Sequence, residues 1–209
     1  TEPYFAFNVT MQNHGGYTSG ASNFDECISI TSSDVYYNKA SKYLSLVKES
    51  DNAFRELIEY FSNVKEPTVI CMFGDHQPSI ETQFIASLLG VNNLSNLTIE
   101  QEQQRHATPF FIWANYDIEE KDYGDISLNY LSTVMMDGAD MKLPPYNRFL
   151  LDMMEEVPVL TVNGYWDKNH VFYGEVNDKS PYKEMLNMYQ QTQYNNLIDS
   201  NHRIENFFD

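Results

Sequence analysis

An unbroken apolar run at residues 68–73 ends abruptly in Gly74-Asp75-His76, and this junction constrains the fold more than any other feature of the chain. A short apolar run without polar alternation suits a strand covered on both faces, as in a parallel α/β sheet. Ligands of such sheets collect beyond the carboxyl ends of the strands. Asp75 and His76 therefore stand where a site is expected. Neighbouring side chains on a strand diverge, but beyond a glycine they can turn toward one ion. A carboxylate oxygen with an imidazole nitrogen suits Mn, Zn or Fe and, less comfortably, Mg. The competing reading of the same tripeptide is a strand followed by an ordinary Asp-containing turn.

The rest of the chain alternates in the same sense. Residues 4–11, aromatic and β-branched, predict a strand that gives out into Gln12-Asn13-His14-Gly15-Gly16. His14 thus lies at a strand end like Asp75 and His76. Apolar residues at three- and four-residue spacing predict a helix over 34–61, with Ser32 or Ser33 as its cap. Further helices are expected at 80–89, 128–136, 146–154 and 181–198, and strands at 109–114 and 159–162. Residues 92–105 read as either a loop or a short surface helix, and 163–174 as a turn-rich β segment. Strand–helix alternation spells an α/β fold with a mostly parallel sheet flanked by helices. The expected division is a partial domain over 1–160 and a small C-terminal β/α subregion over 161–209.

Composition narrows the chemistry. The 209 residues carry a formal net charge of −17, with 42% hydrophobic and 14% aromatic residues. That charge disfavours non-specific nucleic-acid binding and direct adhesion to an anionic membrane. An anionic substrate would need a local cation rather than the overall field. Cys27 and Cys71 do not have zinc-ribbon spacing and are a weak disulfide candidate. His106, His170 and His202 have no neighbours at ligand spacing and read as surface or structural residues. The cluster of Tyr165, Trp166, Phe172 and Tyr173 reads as a hydrophobic face closing the domain. The acidic run at 117–125 reads as a solvated loop. Asn8-Val9-Thr10 and Asn96-Leu97-Thr98 match the glycosylation triplet, a pattern common by chance. No nucleophile elbow, P-loop or Rossmann glycine pattern occurs, and no apolar run approaches a membrane span.

Taken together, several segments resemble the C-terminal half of the lipoteichoic acid synthase-like sulfatase family, in the alkaline phosphatase superfamily. They are Pro3-Tyr4-Phe5 through Asn13-His14, the helix with Tyr43-Leu44 and Asp51-Asn52-Ala53, Phe73-Gly74-Asp75-His76, and Thr108-Pro109-Phe110-Phe111-Ile112-Trp113-Ala114-Asn115-Tyr116-Asp117. The resemblance implies that Asp75 and His76 are ligands of a divalent catalytic ion, Mn by preference, with Mg or Zn as alternatives. It implies that His14 contacts substrate, and that the nucleophile, a threonine or a modified cysteine, lies upstream of this chain. The implied parent is an extracellular phosphoglycerol transferase, anchored to the bacterial membrane by upstream helices. Its implied donor is a phosphatidylglycerol-type lipid or another phospho- or sulfo-ester, and no nucleic acid is involved. The chain by itself is expected to be inactive. A sulfatase or phosphodiesterase of the same superfamily, and a non-catalytic envelope-binding module, are the rival expectations.

Overall fold

The computed structural model describes residues 3–17, 24–30, 35–177 and 179–209. Among the described residues, six α-helices and five strands follow in the order α1 (Asn38–Ser62), β1 (Val69–Phe73), α2 (Thr82–Leu88), α3 (Ile99–His106), β2 (Phe110–Ala114), α4 (Leu131–Gly138), α5 (Pro145–Glu156), β3 (Val159–Thr161), β4 (Gly164–Trp166), β5 (Phe172–Tyr173) and α6 (Lys183–Leu197). The chain is α/β. β1 and β2 are neighbours in a two-stranded sheet, and β3-β4-β5 form a second sheet, an antiparallel meander. Among the described residues, β1 and β2 alone represent the expected main sheet. The chain divides into two compact units, Thr1–Thr68 with Met72–Phe111, and Val69–Cys71 with Ile112–Asp209. The expected boundary at 160/161 falls inside β3.

The first unit is built on α1. Its buried face is small: Ala40, Ser41 and Ser45 are fully covered. Ser45 Oγ donates to the Ser41 carbonyl and accepts from the backbone N–H groups of Cys27 and Ile28. One hydroxyl thereby satisfies an otherwise irregular segment laid along the helix. Further along α1, Phe54 meets Phe111 edge-on at 4.6 Å, whereas Val47, Leu57 and Tyr60 stay exposed. The expected stripe is therefore covered only in part.

The helix begins four residues later than predicted. The expected caps, Ser32 and Ser33, lie outside the described residues. The observed N-cap, Tyr37, offers no side-chain bond. Instead the Glu81 carboxylate, from 42 residues away, accepts from Lys39 N at 2.8 Å, and its other oxygen accepts from Ala40 N at 3.0 Å. Two orphan donors at the positive end of the helix are thus met by a charge. Burial opposes ionisation of Glu81, but the Lys39, Glu81 and Ala40 N–H groups and the Lys39 charge hold its carboxyl below the usual value. A folded-state pKa below the unfolded one gives stability that is present above the unfolded pKa. That stability fades as pH falls through the lowered folded pKa. Glu81→Gln is expected to cost about 1 kcal/mol at pH 7. The difference between wild type and variant should shrink below pH 4. Urea midpoints at pH 7 and pH 3 check this; an equal difference at both would refute the charged cap.

Residues 4–11, expected as a strand, have no regular secondary structure and are exposed throughout, Tyr4 at 91% and Val9 at 69%. Strand propensity expresses itself only where a neighbouring strand completes the ladder, and here none does. The Phe7 ring nevertheless lies 6.4 Å from that of Phe73 at the end of β1. α2 stops at Gly90, whose φ of +68° is the left-handed ending that glycine permits. Residues 92–105 resolve toward helix: Thr98 and Gln101 form a reciprocal capping box that starts α3.

The second unit has the denser core. Tyr130, Val134, Met153 and Val157 are fully buried where α4 and α5 meet, and the Tyr130 hydroxyl donates to the Val157 carbonyl at 2.8 Å. Ser127 Oγ donates to Leu160 O and accepts from Leu160 N, fastening the approach to α4 onto β3. The expected aromatic face is present. Tyr165 is fully buried and stacks on Tyr173 at 4.8 Å, and Trp166 packs on Phe172. Between them Asp167, 3% exposed, accepts from Asn169 N, Val171 N and the Tyr173 hydroxyl. His170 closes this turn with φ +58°, which accounts for it structurally. Cys27 and Cys71 are both free, and burial pushes the Cys71 thiol up.

Candidate metal centre

β1 delivers Gly74, Asp75 and His76 beyond its end, and a row of hydrogen bonds holds this loop against the segment entering β2. Gly74 N donates to the Pro109 carbonyl at 3.1 Å, and Thr108 Oγ1 donates to the Gly74 carbonyl at 2.8 Å. The Gln77 side-chain amide donates to the Ala107 carbonyl. Gly74 fits closely: a Cβ there would lie 3.1 Å from Thr108 Cβ, so a larger residue would make Thr108 give by a few tenths of an ångström. Gln77 and Thr108 are the site residues that composition and motif reading did not single out for a role. Their signal in the sequence is only their adjacency to the Asp-His and Pro109 elements.

Asp75 and His76 converge. Oδ1 of Asp75 accepts from His76 N at 2.9 Å, which turns Oδ2 toward the ring, 3.7 Å from His76 Nε2. His76 Nδ1 lies 2.9 Å from the Gln77 carbonyl. A carbonyl only accepts, so the proton of this bond sits on Nδ1 and the lone pair on Nε2. Backbone locking of one ring nitrogen is the usual way a metal-binding histidine is oriented. Two donors each about 2.1 Å from one ion can be at most about 4.2 Å apart, so the pair fits a shared ion. Both side chains are open to solvent, His76 at 65% and Asp75 at 76%.

The pair supplies part of a coordination shell. Among the described residues no group of three or more His, Cys, Asp or Glu side chains is gathered that could hold an ion. His14 therefore does not complete a metal-holding group with Asp75 and His76. It occupies an exposed turn closed by His14 N donating to the Met11 carbonyl at 3.1 Å. That turn is tied to α1 by Gln12 Nε2 donating to Ser50 Oγ and by Tyr17, which donates to the Asn13 carbonyl and packs edge-on against Tyr43. Of the other histidines, His106 pairs with Glu102 and His202 with Asp199.

A Rhizobium meliloti (strain 1021) protein, provisionally named for cyclic beta-1,2-glucan modification, is 28% identical over 163 residues, covering 76% of this chain and 25% of that protein. The structure of Streptococcus pyogenes phosphoglycerol transferase GacH in complex with sn-glycerol-1-phosphate superposes with a TM-score of 0.55 at 18% identity. The match covers 82% of this chain and 38% of that one, and it shows a shared fold. The chain thus spans about a quarter of the curated relative's length. The sulfatase family model matches residues 1–141, and the chain belongs to the sulfatase family.

Proposed function

We propose that this chain is the C-terminal part of the catalytic domain of an extracellular, membrane-attached phosphoglycerol transferase. The observation that carries the reading is the Asp75–His76 pair, tautomer-locked and held in place beyond β1 in a sulfatase-family chain. The fold shared with a phosphoglycerol transferase supports it.

Asp75 Oδ2 and His76 Nε2 would hold a divalent ion, Mn by preference. When bound, the ion supplies positive charge for the phosphoryl oxygens and lowers the pKa of a hydroxyl nucleophile. The carboxylate of Asp75 offsets the ion's charge, and the Gln77 carbonyl keeps the His76 lone pair outward. His14 contacts the phosphoglycerol portion of the substrate. The donor is a phosphatidylglycerol-type lipid: its bond between phosphorus and the diacylglycerol oxygen breaks while one to a nucleophile outside this chain forms. The acceptor class is an envelope polymer, and the name of the Rhizobium relative favours a glycan.

The test is lipid turnover by the full-length parent. Purified parent should release diacylglycerol from phosphatidylglycerol vesicles, lose that activity to a chelator and regain it with Mn. Release of sulfate from an aryl sulfate, with no diacylglycerol, would instead establish the hydrolase.

A further inference from the structure

We infer that Arg105 and His106 form an anion-holding rim beside Asp75 and His76, taking the phosphoryl group of the substrate, with Glu102 as its resting counter-ion. The inference rests on the transferase reading and adds the group that recognises the substrate's charge.

Three observations lead there. Arg105 is the one Lys or Arg between Lys65 and Lys121, in a protein of net charge −17 where an anionic ligand needs a local cation. It is the penultimate residue of α3, whose following residue, Ala107, is fastened to the Asp75–His76 loop through Gln77. His76 and His106 therefore stand one residue to either side of a single hydrogen bond. Cations at a helix C-terminus are favoured by the helix dipole in general, yet none of the other five α-helices carries a basic residue in its last turn. The dipole alone does not account for Arg105 and His106 both being placed here.

The pair is also under-used. Arg105 Nη1 and His106 Nε2 each lie 3.6 Å from the same oxygen of Glu102, beyond hydrogen-bond distance. His106 is 70% exposed. A phosphoryl group offers several oxygens at shorter range to the guanidinium fork, and would displace this single loose carboxylate contact.

The experiment follows arginine Nε–H and histidine ring signals of the 209-residue chain by NMR during titration with sn-glycerol-1-phosphate and, separately, inorganic phosphate. Arg105 and His106 should shift saturably with both. R105Q should weaken binding roughly fivefold, R105K should restore part of the loss, and E102Q should tighten binding by roughly twofold. The rim is refuted if His14 and His76 respond while Arg105 and His106 stay silent, or if R105Q and E102Q leave affinity unchanged. Recognition of inorganic phosphate but not of the glycerol ester would also overturn it. The metal reading is scored separately, by Mn-induced broadening of His76 signals that D75N abolishes. Absence of that broadening in the unsubstituted chain, with the phosphate response intact, would remove the transferase reading and leave the anion rim.

Discussion

Asp75→Asn in the full-length parent is expected to lower kcat/KM for lipid turnover by about a thousandfold, close to 4 kcal/mol of transition-state stabilisation. The substitution keeps the shape and one acceptor oxygen, so the 2.9 Å bond from His76 N survives. What it removes is the negative charge that would face the ion 3.7 Å from Nε2. Asp75 is 76% exposed, so the melting temperature should hardly move, which separates lost chemistry from lost folding. Part of the activity should return at high Mn if the defect is one of metal affinity. Unchanged kcat/KM in D75N would remove Asp75 from the reaction.

The largest expected effect on stability lies far from that site, at Gly164. Its φ is +135°, a conformation L side chains rarely adopt, and a Cβ there would meet the Tyr173 carbonyl oxygen at 2.1 Å and Gly174 Cα at 2.9 Å. Both obstacles are backbone and cannot rotate aside. Gly164→Ala must therefore push β5 from β4, breaking the register of Tyr165 with Tyr173 and the stacking of those rings. We expect a loss of about 3 kcal/mol or more, combining backbone strain with overpacking. Gly90→Ala is the control: φ is +68° but nothing lies within 4 Å, so only the torsional cost of about 1 kcal/mol remains. Urea unfolding followed by tryptophan fluorescence measures both. Similar losses for the two would show that the close approach at Gly164 is not what matters.

The helices and the C-terminal meander were legible because their information is local. Periodicity places α1, α5 and α6, and the aromatic cluster marks the buried face around Tyr165. Residues 4–11 misled because a strand is completed by its neighbour, and the strand propensity of the segment does not reveal whether one exists. The start of α1 was missed for a related reason: its cap, Glu81, comes from 42 residues away, beyond any local signal. At the candidate site, Asp75 and His76 were legible from the end of an apolar run. The lock on the His76 ring, the clamp by Gln77 and Thr108, and the closeness of Arg105 and His106 to it became visible only when α3 was placed beside the loop.

Residues 74–81 are fastened at both ends, by Gly74 and Gln77 to the segment before β2 and by Glu81 to the start of α1. Asp75 and His76 ride on a short bridge whose abutments are already set. An arriving cation need not fold the loop around itself, so its capture should be fast and accompanied by little change in heat capacity.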